Sequence, residues 1–429
     1  MSKTDVNRST AYYALLRITR DQAYANLELN NQIDRNRPDA PAFVRELVYT
    51  VLRNRNYLDF LLAQMVSRGF QKLRPQPLTL LRMGLAQILY MDSVPDHAAV
   101  NETVRLARKH CVHQAGMING VLRTYLRQAD TLRKPDSIRD MEERLSICYS
   151  VDRSIAALWI DQYGPQKAES MMQACHRLPP LTVRVNTTRI EPAELSERLA
   201  AQHIQAAAKA LSPRLLELSG RDILDSTEYR EGLFSPQGTG SLMAIDALGA
   251  SPGDTLIDVC AAPGGKSLAA AESMGNKGRI LAMDLYENKL REIQRQSGRL
   301  GLSIIETVVH DGTKAIEAFA GTADKVICDV PCSGLGVLRK KPEIRYRAVE
   351  NQGRALAEKQ LAILEAASTY LKPGGTLLYS TCTVNRVENQ EVTKAFLKEH
   401  SSFRVLREEQ LLPDEEPEDG FYYCTMRLE

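Results

Sequence analysis

Two cysteines stand where a nucleophile could act. Cys332 lies in Asp329-Val330-Pro331-Cys332-Ser333-Gly334, after the apolar run KVIC, and Cys382 lies in Ser380-Thr381-Cys382-Thr383, at the end of TLLYST. A thiolate is the natural attacker of an electron-poor ring carbon. A lone free cysteine is more often a buried, inert thiol. Here two thiols end neighbouring apolar runs, and Asp329 accompanies one of them, so they read as a reactive pair.

The segment DVCAAPGGKS, Asp258 to Ser267, falls where a strand should end and a helix begin. Gly264 and Gly265 allow a sharp turn and a close approach of backbone to ligand. The dinucleotide pattern G-x-G-x-x-G is absent, and a phosphate loop would need Gly at position 260, which is Cys260. A nucleotide-like ligand fits this loop and a cradled triphosphate does not; a plain tight strand–helix turn would use the same glycines.

An aspartate closes each of four apolar runs: Asp258, Asp284, Asp311 and Asp329. Asp284 comes 26 positions after Asp258, near the spacing of an acidic residue that accepts ribose hydroxyls. One such Asp is usually a helix cap. Four would form an acceptor-rich rim on the ligand side of a doubly wound sheet, suited to a neutral or cationic nucleoside.

The elements that must position these groups follow from periodicity. From about 236, TLIDVC, RILAMD, IIETVVHD, KVICDV and TLLYST alternate with helical stretches, among them TKAIEAFA between the third and fourth runs. Such alternation predicts a parallel sheet covered on both faces, with FRVLR and GFYYCTMRL as edge strands. Residues 5–130 read as successive amphipathic helices, with Phe43, Leu47, Val48, Val51 and Leu52 at 3- and 4-residue steps. Between 151 and 235 helical segments precede the strand LTVRVNTTRI and the helix PAELSERLAAQHI.

Composition bounds the function. Hydrophobic residues make 44% and charged residues 25% of 429, which excludes a disordered, collagen-like or rod-like chain. No apolar run is long enough to span a bilayer, and no signal-peptide pattern opens the chain. Eight cysteines without a Cys-x-x-Cys pair argue against a disulfide scaffold and for reduced thiols in a cytoplasmic protein. Residues 1–139 carry 21 Lys/Arg against 12 Asp/Glu, although the whole chain is only +2. A basic front part suggests a polyanionic partner, as readily as a solvated helical surface rich in Arg. Arg339, Lys340, Lys341, Arg345 and Arg347 form a basic loop that could clamp RNA phosphates. His110-Cys111-Val112-His113 lacks a second ligand pair, so no metal is expected. Trp159 reads as core.

Together, DVCAAPGGKS, Asp284, Asp311, DVPCSGLGVLRKKPEIR and STCTVNRVEN resemble the NOL1/NOP2/Sun group of S-adenosylmethionine-dependent RNA cytosine-C5 methyltransferases, over about residues 232–429. PDHAAVNETVRLARKH and GMINGVLR are similar to the NusB-like RNA-binding domain that precedes the catalytic domain in bacterial 16S rRNA methyltransferases of this group. PPLTVRVNTTR matches the region between. The resemblance implies a multidomain protein: an all-α NusB-like domain over 1–135, a small α+β middle domain over 145–235, and an α/β Rossmann-like class I methyltransferase domain over 236–429.

It also implies roles. Cys260, Ala261, Ala262, Pro263, Gly264, Gly265 and Lys266 would form the loop for S-adenosyl-L-methionine. Asp284 would hold the ribose hydroxyls, Asp311 would lie by the adenine, and Asp329 near the methionine moiety and the target base. Cys382 would be the nucleophile and Cys332 would assist product release. One position departs from the family: SPQGTGS carries Gly238 where relatives have Asp. The expected activity is methylation of C5 of a cytosine in 16S rRNA, through a thiolate adduct at C6, by a monomer. The target base must be unpaired or flipped. Two alternatives stay open, a tRNA cytosine as substrate and a non-catalytic ribosome-assembly factor. The NusB-like part favours rRNA, and a binding-only protein would not need both thiols.

Overall fold

A computed structural model describes residues 5–21, 23–66, 69–177, 180–349, 352–414 and 419–429. The chain packs as two compact units. One runs to His176 and also takes in Leu338–Ala348; the other comprises Arg177–Val337 and Val349–Glu429. The segment 145–235 is therefore shared between them.

The first unit is helical: α1 (Val6–Asp21), α2 (Ala25–Asn36), α3 (Pro41–Met65), α4 (Pro75–Tyr90), α5 (Asp96–His110), α6 (Ala115–Gln128), α7 (Met141–Cys148), α8 (Arg153–Tyr163) and α9 (Pro165–His176). Proline opens α3 and α4, where its missing N–H costs no helical bond. Leu47, Val48, Val51 and Leu52 of α3 join Leu80, Leu81 and Leu85 of α4 in one apolar core. Each fully buried side chain of this kind contributes about 1.5–3 kcal/mol over the exposed state. Trp159 is buried, as its apolar neighbours on α8 predict. Among the described residues, no helix is long and apolar enough to cross a membrane.

The basic loop does not form the exposed clamp its charges suggest. Arg345 is fully buried, and its guanidinium donates to the carbonyl oxygens of Leu338 (3.2 Å), Arg53 (3.4 Å), Tyr149 (3.3 Å) and Cys175. Arg339 is buried too. Arg347 lies over the Tyr24 ring at 5.4 Å, and only Lys340 and Lys341 of the five are exposed. A guanidinium fork satisfies several carbonyls at once, so arginine serves here as a structural plug.

The second unit holds two sheets. β1 (Leu181–Val185), β2 (Gln205–Lys209), β3 (Ser212–Ser219) and β4 (Phe234–Pro236) form an antiparallel sheet in the order β2-β3-β1-β4, with α10 (Pro192–Ala200) and α11 (Thr227–Arg230) in its connections. The larger sheet is built from β5 (Thr255–Asp258), β6 (Arg279–Asp284), β7 (Ile305–Val309), β8 (Ala323–Asp329), β9 (Leu371–Thr381), β10 (Phe403–Leu411) and β11 (Phe421–Leu428). Its order is β10-β11-β9-β8-β5-β6-β7. β5 to β9 run parallel, and β11 pairs antiparallel with both β9 and β10. The helices α12 (Thr239–Leu248), α13 (Gly265–Ser273), α14 (Glu287–Leu300), α15 (Gln352–Ser368) and α16 (Gln390–Glu399) complete the unit, and apolar clusters cover both sheet faces. On α14, Leu290, Ile293, Ser297 and Leu300 are buried at 3- and 4-residue steps, and Gly301 at φ +72° ends the helix. Arg184 of β1 forms a bidentate pair with Glu272 of α13 at 2.7 and 2.8 Å, both side chains 1% exposed.

TKAIEAFA is not the helix its composition suggests; only Glu317–Phe319 make a single 3-10 turn. The Asp311 carboxylate takes the Thr313 N–H, and the Tyr370 hydroxyl takes the Ile316 N–H at 3.0 Å. Backbone donors held from outside have no need of a helical ladder.

Candidate active site

The carboxyl ends of β5 to β8 share one edge of the large sheet. In register, Asp258 lies opposite Ile327, two residues before Asp329, and Asp284 lies opposite Val309, two residues before Asp311. The four aspartates thus reach the same rim because parallel strands in register end together.

Behind β5, the Ala261 N–H donates to Met283 O at 2.8 Å and the Gly264 N–H to Ala261 O at 2.7 Å, closing the turn. The Ala262–Pro263 peptide is cis. Gly264 has φ +104°, and a Cβ there would sit 3.0 Å from Ile293 Cγ1, so both conformation and space demand glycine. A Cβ on Gly265 would meet nothing within 4 Å, which leaves open space over the first turn of α13. Asp284 is nearly buried; its Oδ2 accepts from the Ala262 N–H at 3.3 Å and its Oδ1 from the Tyr286 N–H at 3.1 Å. Each oxygen keeps a lone pair for a further donor. The turn after Asp311 lies against the same loop: a Cβ on Gly312 would come 3.5 Å from Cys260 Sγ. The Thr313 hydroxyl and N–H bond the Asp311 carboxyl and hold its pKa below the usual carboxylate value.

Lys266 does not point to a phosphate. Its Nζ pairs with Asp329 Oδ2 at 2.6 Å and lies 5.1 Å from the centre of the Phe421 ring. Asp329 Oδ1 accepts from the Ser380 hydroxyl at 2.9 Å. With its one cation already paired and a rim of carboxylates, the loop suits a sulfonium nucleoside and would repel a polyphosphate. Among the described residues, no group of three or more His, Cys, Asp or Glu is arranged to hold a metal ion.

Asp258 is fully buried and bonds the Ser267 hydroxyl at 2.6 Å. Burial raises its pKa from 3.8 to about 7, opposed by the Ser267 bond and aided by the charge of Asp329. Between these values the folded carboxyl holds a proton that the unfolded one has lost. Stability therefore falls as pH rises from about 3.8 to about 7 and levels off above. Over that window wild type should lose on the order of 4 kcal/mol relative to Asp258→Asn. Thermal melts of both proteins check this, and parallel curves would contradict a buried protonated carboxyl.

The two sequence-picked cysteines converge. Cys332 Sγ and Cys382 Sγ lie 3.4 Å apart as free thiols, both half-buried. Strand order makes this possible: β8 and β9 are neighbours, and Asp329 pairs with Ser380 in register. The loops beyond them are tied by the Ser333 and Thr383 hydroxyls at 2.8 Å and by the Gly336 N–H donating to Cys382 O at 3.0 Å. Hydrogen bonding to Cys382 and then burial push the Cys332 thiol well above its ordinary range. A thiol held in its protonated form can donate to the sulfur beside it.

Sequence reasoning assigned no role to Ser380, Phe421, Gln360 or Glu388, which hold the site residues from behind. Glu388 lies within STCTVNRVEN, but nothing in its spacing says that it turns inward. Gly238, the departure from the family, precedes α12, where Gly240 is packed so closely that a Cβ would fall 2.6 Å from Phe421 Cβ.

Comparison with known proteins agrees with this architecture. The family model described as 16S rRNA methyltransferase RsmB/F matches residues 245–427, the NusB family matches 5–127, and the RsmF/B-like ferredoxin-like domain matches 155–222. "Probable ribosomal RNA small subunit methyltransferase B" of Bacillus subtilis is 37% identical over 100% of this chain and 99% of its own length. Ribosomal RNA small subunit methyltransferase B of Pseudomonas putida is 30% identical over 98% of each chain. Among solved structures, PH0851 shares the fold with TM-score 0.84 at 22% identity over 99% of both chains. A methyltransferase homologue from Pyrococcus horikoshii has TM-score 0.60 at 26% identity, covering 68% of this chain and 99% of its own. A helical NusB-like part, a ferredoxin-like middle and a Rossmann-like sheet ending in paired thiols, matched to such relatives over the full length, mean that the chain belongs to the ribosomal RNA small subunit methyltransferase B family.

Proposed function

We propose that this protein transfers a methyl group from S-adenosylmethionine to C5 of a cytosine in 16S rRNA, through a covalent adduct between Cys382 and C6. The observation that carries the reading is the 3.4 Å approach of two free thiols beside the Lys266–Asp329 pair at the rim of the sheet. Family membership supplies the rRNA substrate class.

When bound, S-adenosylmethionine supplies an electrophilic methyl group. The loop from Cys260 through Ala261, Ala262, Pro263, Gly264 and Gly265 to Lys266 binds it, Asp284 accepts its ribose hydroxyls, and Asp311 lies by the adenine. Cytosine C5 is a poor nucleophile until C6 is attacked. The Cys382 thiolate forms the S–C6 bond, and the ring electrons move to C5, which takes the methyl group. Charge gathering on the N3 edge is met by Asp329 together with Lys266, whose Nζ lies 2.6 Å from Asp329 Oδ2. Water takes the C5 proton, the S–C6 bond breaks, and the Cys332 S–H donates to the departing Cys382 sulfur. The target base reaches the thiols only when unpaired or flipped.

Bisulfite sequencing of total RNA from cells with and without the protein tests this reading. One 16S rRNA cytosine should resist conversion only when the protein is present. A protected tRNA position, or no difference between the two samples, would overturn it.

A further inference from the structure

Behind the two thiols sits a carboxylate that the mechanism above does not use. Glu388 is fully buried. Its Oε2 accepts from the Ser333 N–H at 2.8 Å and from Gln360 Nε2 at 3.2 Å, and its Oε1 accepts from Asn385 Nδ2 at 3.0 Å. Gln360 reaches on to Pro331 O at 3.0 Å, and the Tyr379 hydroxyl donates to the Glu388 carbonyl at 2.6 Å. One side chain therefore spans the loop of Cys332, through Ser333 directly and Pro331 by way of Gln360, and the loop of Cys382, through Asn385. Among the described residues its side-chain partners are neutral donors, and no cation pairs with it. A buried carboxylate is costly to keep without a counter-ion, and packing alone would be served by an apolar side chain.

We propose that Glu388 is a positioning residue for the cysteine pair: it clamps the two loops together and keeps the pair's shared proton on Cys332, so that Cys332 donates to the Cys382 sulfur. This rests on the catalytic reading above. The titratable groups acting on Cys332 are Cys382 and Glu388, and Cys332 in turn faces the Tyr379 hydroxyl. The hydrogen bond to Cys382 comes first, burial second, and the charges of Cys382 and Glu388 add in the same direction; the Gly334 N–H alone opposes them. A negative charge that resists ionisation of Cys332 leaves Cys382 as the sulfur able to become thiolate.

Iodoacetamide alkylation of the full chain, with initial rates read at each cysteine peptide by mass spectrometry from neutral to alkaline pH, tests this without RNA or cofactor. In wild type Cys382 should react at lower pH than Cys332; the opposite order overturns the proposal. Glu388→Gln should raise the Cys332 rate at mildly alkaline pH about tenfold, the effect of one pH unit in thiol acidity. Glu388→Asp, which keeps the charge, should stay near wild type. An unchanged Cys332 rate in Glu388→Gln overturns the proposal, as does an equal rise at the buried Cys328 and Cys424, which would mean a loosened fold. Equal behaviour of the two variants also overturns it. The wild-type order of reactivity decides the matter even if Glu388→Gln does not fold. Failure here with a protected 16S cytosine sinks only this inference; loss of that cytosine's protection sinks the reading beneath it.

Discussion

Cys382→Ala is expected to abolish methyl transfer, by on the order of 10⁴-fold or more in the single-turnover rate, while the dissociation constant for S-adenosylmethionine stays within about twofold. The rate effect is large because no other group can raise C5 to a competent nucleophile: without a bond to C6 the methyl group meets an aromatic carbon. The binding effect is small because Cys382 follows β9, while the loop assigned to the cofactor follows β5 and is held by Met283 O and Asp284. Calorimetry for cofactor affinity and a tritiated-methyl transfer assay on 16S rRNA measure the two quantities separately. Residual activity within tenfold of wild type would remove Cys382 from the nucleophile's role.

Cys332→Ala should have a different signature. The adduct still forms, since Cys382 is intact, but the sulfur leaving C6 loses the hydrogen-bond donor 3.4 Å away. Release should slow by about 10²–10³-fold, the range of a lost positioned donor in a water-poor site. A protein–RNA complex that survives denaturing electrophoresis should then accumulate with roughly one RNA per chain. Methyl transfer in the first turnover should proceed near the wild-type rate. If the stable complex forms with Cys382→Ala instead, the two thiols exchange roles; if neither variant forms it, the covalent route falls. The raised acidity threshold of Cys332 is consistent with this division, because a thiol that keeps its proton can donate and cannot attack.

What sequence alone decided about this protein is local. Short apolar runs and 3.6-residue patterns place strands and helices, and each strand that ends in Asp or precedes Pro-Cys or Thr-Cys-Thr puts that residue on the same rim, because parallel strands share a direction. The glycine turn after Asp258 is equally local: Gly264 at φ +104° is demanded by its own backbone. The failures have one cause. TKAIEAFA has helical composition, but Tyr370, more than fifty residues away, takes its backbone donor. The basic loop reads as a clamp for RNA phosphates, yet Arg345 finds carbonyls of Arg53, Tyr149 and Cys175 waiting for it. Only the tertiary structure decided these, and it alone brought Cys332 to Cys382 and turned Glu388 inward between their loops. Which strand lies beside which, and in what register, depends on how whole faces bury against one another, and no stretch of chain carries that information by itself.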